Sequence, residues 1–322
     1  MIDDWTTSGL IPEEEIFQEL DGMVPIDITD ISDNIIEDAF NAEPLIGIIR
    51  HRLETDGAGV TTLVGFHGCP LSCSYCLNPQ CNIENGFSRW ITPESLFEEL
   101  LKDDLYFRTT GGGVTFGGGE PLLRDSFIKK FAEIVNGYTF SHNPAYIQEK
   151  WRISIETSLN VPIEKLMNIA DVVDEFIVDI KDMNPEIYES YTKWDNTQVI
   201  DNLRWLIDNG YTETIHIRVP LIPGYNNAED VEASLEKLKE LGLNKIEKFQ
   251  YIIGEKSNSG VPYTATNGKV ICAALKDIRI AYAKINNIDY QPAICHYEGE
   301  CSGTCPKCEE EVKELTCPFQ LR

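Results

Sequence analysis

The chain has 322 residues, 42% of them apolar and 10% aromatic, enough to bury a large core and to form one barrel-like domain with appendages. No uninterrupted apolar run approaches the roughly 20 residues a membrane helix needs. The acidic amino terminus lacks the basic-then-apolar layout of a secretory signal, so a cytoplasmic protein is expected. A formal charge of −26 repels nucleic-acid phosphate and anionic membranes, which argues against either as a partner and leaves neutral or basic surfaces. The same acidity also serves plain solubility.

Residues 1–45 form an acidic extension in which Ile28, Ile31, Ile35 and Ala39 recur at helical spacing, predicting a short helix docked on the core. Beyond it, strand-like runs at 60–66, 114–116, 153–156, 176–180, 215–219 and 248–253 alternate with amphipathic helical stretches. Thr92 with Pro93 marks a helix start, while Gly137, Gly210 and Gly242 mark stops. Val231, Leu235, Leu238 and Leu241 share one apolar helix face. About six βα units in series predict a parallel sheet curled into an incomplete barrel. In such a fold chemistry sits at the carboxyl ends of the strands.

The first run is followed at once by Cys69-Pro70-Leu71-Ser72-Cys73-Ser74-Tyr75-Cys76. Ten cysteines in a long chain with no signal, clustered in this way, point to metal in a reducing compartment rather than to disulfides. Thiolates suit iron–sulfur clusters or zinc. Three of them leave a zinc site short of a ligand, whereas a cubane held by three cysteines keeps one iron open. Gly117-Gly118-Gly119-Glu120-Pro121 follows the second run and lets backbone approach a ligand, or else makes only a tight turn. Tyr75 suits stacking or simple loop packing. Glu156-Thr157-Ser158, Asp179-Ile180-Lys181 and Arg218 in Ile217-Arg218-Val219-Pro220 bring charge to three further strand ends, with surface charges or a structural ion pair as the bland reading. Near the carboxyl terminus Cys295, Cys301, Cys305 and Cys308, with Cys317 beyond, are enough to close a second site. An auxiliary iron–sulfur cluster and a structural zinc both fit them.

The CxxxCxxC loop with Tyr75 before its third cysteine, together with the GGE stretch, resembles the radical S-adenosylmethionine (SAM) superfamily. Within it, Asp56-Gly57-Ala58-Gly59-Val60, Gly68-Cys69-Pro70-Leu71, Cys76-Leu77-Asn78-Pro79 and Gly112-Gly113-Val114-Thr115-Phe116 resemble the glycyl-radical-enzyme activating enzymes, over roughly residues 46 to 255. The resemblance implies a partial (β/α)6 TIM-like barrel at 46–290, between the 1–45 extension and a cysteine-rich metal-binding tail at 291–322. It implies a [4Fe-4S] cluster on Cys69, Cys73 and Cys76 and a SAM amino group at Gly117, Gly118, Gly119 and Glu120. Tyr75 would lie near adenine and Lys181 at the SAM carboxylate. Glu156, Thr157 and Asp179 would surround a monovalent cation, with Asp179 also in reach of the ribose. Arg218 would contact SAM or peptide, and Asp56 the substrate loop.

The activity so implied is reductive cleavage of SAM to a 5′-deoxyadenosyl radical that takes hydrogen from a glycine of a partner glycyl-radical enzyme, under anaerobic conditions, with flavodoxin or ferredoxin as electron donor. The alternative is a maturase acting on a ribosomal peptide or a small molecule. Several positions depart from the family pattern. Leu159 and Asn160 stand where a glycine is usual, Thr61 replaces an arginine, and no histidine occurs at 249–253. His67 beside the loop reads as a supporting residue. The span between Cys76 and Gly117 holds only Cys81, too few cysteines for a ferredoxin insertion.

Overall fold

A computed structural model describes residues 41–53, 55–138, 148–251, 268–295 and 305–320, side chains to 316 in the last segment. The acidic extension, apart from residues 41–45, therefore lies outside the described residues, as do Cys301 and the side chain of Cys317. Among the described residues no helix is long and apolar enough to cross a membrane.

Eight strands make one sheet: β1 (Glu43–Leu53), β2 (Val60–Phe66), β3 (Arg89–Ile91), β4 (Gly113–Gly118), β5 (Arg152–Thr157), β6 (Glu175–Asp179), β7 (Ile215–Leu221) and β8 (Ile246–Gln250). Their spatial order is β3-β1-β2-β4-β5-β6-β7-β8, and β2 through β8 pair in parallel. The six parallel strands are those expected from the sequence, and the sheet stays open. β1 and β3 were not expected; they add an antiparallel margin beside β2.

The helices are α1 (Pro93–Leu100), α2 (Asp104–Thr110), α3 (Asp125–Gly137), α4 (Ile163–Ile169), α5 (Pro185–Thr192), α6 (Thr197–Asp208), α7 (Ala228–Glu240), α8 (Gly268–Ile285) and α9 (Pro306–Gln320). Their starts follow local chemistry. The Thr92 hydroxyl accepts from Ser95 N with Pro93 in the first turn, and Asn227 and Asp230 form a reciprocal capping box at α7.

Alternation along each strand separates two environments. Val64, Phe66, Val114, Phe116, Ile153, Ile155, Phe176, Val178, Ile217 and Val219 face the helices and form the main core. Thr115, Glu156, Asp179 and Arg218 occupy the other face, inside the barrel. Burial thus fixes the register that aims the polar groups inward.

A second core lies at the amino end of β2. There Val60, Leu105 and Tyr106 pack against Ile271 and Leu275 of α8 and Val312 and Leu315 of α9. A register shift in β1 between Ile49 and Arg52, with His51 at φ 58°, turns both Arg50 and His51 onto one carboxylate. Arg50 donates to both oxygens of the fully buried Asp103, at 2.8 and 2.6 Å, and to Glu309 of α9 at 2.6 Å. His51 Nε2 lies 2.9 Å from Asp103. The tail is therefore a docked helix, held to the sheet by an ion pair as well as by apolar contact.

Burial alone would raise the Asp103 pKa, but the hydrogen bonds and charge of Arg50 and His51 hold it below its ordinary 3.8. The stabilisation this brings is complete above 3.8 and is lost as pH falls through the lowered value. Asp103→Asn is expected to cost about 3 kcal/mol at neutral pH by removing the buried carboxylate and leaving Arg50 with the half-exposed Glu309 alone. Melting temperatures of wild type and variant should converge in strong acid; a gap independent of pH would show that the carboxylate charge is not what matters.

Candidate active site

The carboxyl ends of the parallel strands surround a cavity of about 150 Å³ lined by Cys69, Cys73, Cys76, Gly118, Gly119 and Glu120, with the 156–158 segment, Asp179, Lys181 and three tyrosines completing the wall. The cysteine loop is clamped from two sides. On one, Gly119 N donates to Phe66 O at 2.9 Å, Glu120 N to Gly68 O at 2.8 Å and Asn78 Nδ2 to Gly118 O at 3.0 Å. On the other, Ser72 N donates to Thr192 O at 3.0 Å and Ser74 N to Tyr191 O at 3.2 Å. Those carbonyls end α5 and would otherwise lack partners, so the helix terminus and the loop satisfy each other.

Glycine is required where β4 meets the loop. A Cβ on Gly119 would collide with the Gly68 carbonyl, and one on Gly118 (φ 93°) would stand 2.6 Å from Gly65 Cα. Behind the glycines Glu120 is fully buried. Its carboxylate accepts from Thr157 Oγ1 at 2.6 Å, from Ser158 Oγ at 2.6 Å, from Ser158 N at 2.9 Å and from Leu122 N at 3.2 Å. Burial outweighs these bonds and raises its pKa. Glu120 thereby ties the end of β4 to the end of β5.

The turn after β5 has a leucine in a left-handed position. Leu159 itself takes φ 59° and is wholly buried, its N donating to Thr157 Oγ1 at 2.9 Å and its O accepting from Asn202 at 2.8 Å. Apolar burial and two hydrogen bonds offset a left-handed conformation that leucine seldom adopts.

Inside the barrel Arg218 lies between two carboxylates. Its Nε donates to Asp179 at 2.8 Å, and its Nη2 makes a short contact with Glu156. Lys181 Nζ takes the other Asp179 oxygen at 2.9 Å and Tyr251 Oη at 3.1 Å. Burial raises the Glu156 pKa, with Arg218 opposing and Asp179 reinforcing it. Burial also acts against ionised Asp179, but Lys181 and Arg218 hold it below its usual range. Lys181 stays protonated: despite burial, Asp179 first and then Tyr251 and Cys73 lift it well above an ordinary lysine.

Of the residues singled out from sequence, the three loop cysteines, Tyr75, Gly118, Gly119, Glu120, Glu156, Thr157, Asp179 and Lys181 line the one cavity. Gly117 sits beneath it, where a Cβ would meet Glu156 at 3.2 Å, and Arg218 joins through its two acids. Asp56 lies apart, buried and paired with Arg52, its carbonyl accepting from Thr115 Oγ1. Cys295, Cys305 and Cys308 are elsewhere in the fold. His67 bonds Ile83 O at 2.9 Å and packs on Phe87, and Cys81 is buried with its thiol toward Phe66 O.

Sequence reasoning missed an aromatic wall. Tyr191 and Tyr225 pack on Tyr75 with ring centroids 6.2 and 5.7 Å away, and the Tyr225 hydroxyl bonds Ser74 at 2.6 Å. It also missed Tyr188, whose buried hydroxyl has no hydrogen-bond partner among the described residues. No local spacing signals any of the three, because they reach the loop only when α5 and the turn after β7 fold over it.

The donor set fits an iron–sulfur cluster. Burial, and then Glu120, pushes the Cys69 thiol up to about 12, while burial raises Cys73 against the opposing charge of Lys181. Such thiols ionise when a bound metal supplies positive charge. A cubane spreads its three cysteine ligands over three irons, so the loop thiols need not converge on one point.

The family model described as the Radical SAM superfamily matches residues 63–238. This chain belongs to the radical SAM superfamily. Among its curated relatives, the pyruvate formate-lyase 2-activating enzyme of Escherichia coli (strain K12) is 29% identical over 248 residues, covering 67% of this chain and 80% of that protein. The (2S)-3-sulfopropanediol dehydratase activating enzyme of Klebsiella oxytoca is 30% identical over 283 residues, covering 67% and 85%. These radical SAM relatives are activating enzymes. A crystal structure of a domain of pyruvate-formate lyase-activating enzyme from Bacteroides vulgatus superposes with a TM-score of 0.35 at 22% identity, covering 52% of this chain and 95% of that one. Streptococcus suis SuiB bound to S-adenosylmethionine gives 0.43 at 12% identity, covering 73% and 52%.

Gly119→Ala is expected to cost roughly 1–3 kcal/mol through overpacking and to lower the iron retained per chain after anaerobic reconstitution. Retention of full iron would show that the loop does not depend on this crossing. Arg218→Met, which leaves Glu156 without its partner and Asp179 with Lys181 alone, should lower stability by about 3–5 kcal/mol. Equilibrium denaturant unfolding checks it, and an unchanged midpoint would mean that the carboxylates relax into solvent.

Proposed function

We propose that this chain is the activating enzyme of a glycyl-radical enzyme, installing the radical on a glycine of that partner. The observation that carries the reading is the convergence of the cysteine loop, the glycine crossing and the Asp179–Lys181 pair at one end of the barrel, in a chain whose curated relatives are themselves activating enzymes. In this reading Cys69, Cys73 and Cys76 hold a [4Fe-4S] cluster with one iron left for SAM. When bound, the reduced cluster and SAM supply a 5′-deoxyadenosyl radical and methionine.

The chain's own residues place and enclose that chemistry. The Gly117–Gly119 backbone, with Gly118 and Gly119 lining the cavity, offers its polar groups to the amino-acid end of SAM. Lys181, held protonated, offers its charge to a carboxylate, while Asp179 supplies an acceptor for ribose hydroxyls. Tyr75, with Tyr191 and Tyr225 behind it, gives the adenine an aromatic surface. Arg218 brings positive charge between Glu156 and Asp179, and the Thr157 hydroxyl is turned to Glu120. A monovalent cation at Glu156, Thr157 and Asp179 would share those oxygens with Arg218 and Glu120. Asp56 meets the partner's glycyl loop only if its Arg52 pairing opens. A low-potential flavodoxin or ferredoxin supplies the electron, in an anaerobic cytoplasm.

Anaerobic reconstitution followed by dithionite and SAM should yield 5′-deoxyadenosine in wild type and none in Cys73→Ala. Adding the partner glycyl-radical enzyme should produce a glycyl-radical signal in electron paramagnetic resonance. Deoxyadenosine that persists in Cys73→Ala would reject the cluster assignment. A cross-linked peptide product without a glycyl radical would reject the activating role.

A further inference from the structure

Apart from Cys81, buried beside the loop, the described cysteines that the barrel chemistry leaves unused lie in or between α8 and α9, the helices that pack at the amino end of β2. Cys272 is buried on α8, and Cys305 and Cys308 bracket the first turn of α9, Cys308 buried and Cys305 partly so. Their two sulfurs stand 3.5 Å apart. That is far longer than a disulfide bond of about 2.05 Å. It is close to the roughly 3.8 Å that separates two thiolates on one tetrahedral ion with bonds of about 2.3 Å. Cysteines on different irons of a cubane stand farther apart, so this spacing suits a single ion.

The chain between the two helices leads a further thiol to the same corner. The Tyr290 hydroxyl accepts from Arg279 Nε at 2.9 Å and donates to Glu311 at 2.6 Å. Three residues on, Ala293 O accepts from Lys276 Nζ at 2.6 Å and Ala293 N donates to Glu311 at 2.9 Å. Arg279, Lys276 and Cys272 occupy successive turns of one face of α8, so the strap runs antiparallel to that helix. Two more extended residues advance about 6.6 Å, against about 5.4 Å for a helical turn. Cys295 therefore arrives level with Cys272. On α9, Cys308 lies one turn before Glu311 and Val312, on the side where Val312 and Leu315 pack with Ile271 and Leu275, the α8 neighbours of Cys272.

We propose that Cys272, Cys295, Cys305 and Cys308 form a tetrahedral thiolate site for one divalent ion of the zinc class, which staples α9 and the strap to α8. Among the described residues no three of these side chains converge on one point. Binding turns the exposed Cys295 and the Cys272 side chain toward the Cys305–Cys308 pair and releases the thiol protons. The site differs from the sequence expectation in taking Cys272, which has no cysteine near it in the chain. Its role is structural: α8 packs on Val60 at one end of β2, and the SAM loop follows Phe66 at the other, roughly 20 Å away at 3.3 Å per residue.

The test uses the full chain with Cys69, Cys73 and Cys76 all replaced by Ala, titrated with Co2+ alone. One equivalent should bind with the absorption of a four-thiolate tetrahedral site and be displaced by Zn2+. Adding Cys272→Ser or Cys295→Ser should each weaken binding by about tenfold or more, and Cys301→Ser should not. In case those variants misfold, wild type is also melted before and after chelation, and removal of its zinc should lower the melting temperature. Failure to bind Co2+, dependence on Cys301 in place of Cys272, or uptake of iron with sulfide at these cysteines would overturn the proposal, as would a melting temperature unmoved by chelation. None of these readouts depends on SAM cleavage.

Discussion

The site depends on one backbone crossing, where the turn leaving β4 passes so close to the turn leaving β2 that peptide groups bond directly and side chains are excluded. Gly119 N meets Phe66 O and Glu120 N meets Gly68 O, one residue before the first cysteine. Because the two strands are parallel neighbours in register, with Phe66 opposite Gly118, their carboxyl ends finish at the same height. The loop is thus held by main-chain bonds, and the cysteines need make no contact of their own to stay in place. Glu120 extends the clamp to β5, and the carbonyls ending α5 close it from the far side.

The charged groups inside the barrel follow from that geometry. Alternation sends most apolar residues of the parallel strands to the helices, so Glu156, Asp179 and Arg218 are left facing one another, largely buried, inside the barrel. Buried charges must be paired, and Arg218 takes one oxygen of each acid while Lys181 takes another from Asp179. The pairing orients the Lys181 ammonium toward the cavity beside Cys73. Polar groups fixed in advance in a dry site keep their orientation when a ligand arrives.

The parallel barrel was legible because its strands carry short apolar runs bounded by helix caps and stops, and the cysteine loop because its ligands are adjacent in sequence. Groups assembled by tertiary folding were not. β1 carries Arg50, His51 and Arg52 within an irregular register, so period-two alternation is broken there. Tyr188 and Tyr191 read as the apolar face of an ordinary helix, and Cys272 as a core position beside Ile271 and Leu275. Leu159 takes a left-handed conformation in its turn, because burial and hydrogen bonds can enforce a conformation that intrinsic preference disfavours. The tail, expected only as a run of cysteines, is a helix whose Glu309 completes the Arg50–Asp103 network.

The two ends of the barrel therefore carry different tasks, with reactive thiols at the carboxyl ends of the strands and a packed, cysteine-bearing helical corner at the amino ends. The central claim is that the loop cysteines leave one iron free for the amino-acid end of SAM. Electron–nuclear double resonance of the reduced protein with 15N-amino and 17O-carboxylate SAM tests it most directly. Hyperfine coupling from both labels to the cluster is the predicted result; a cluster signal with neither coupling would contradict the account.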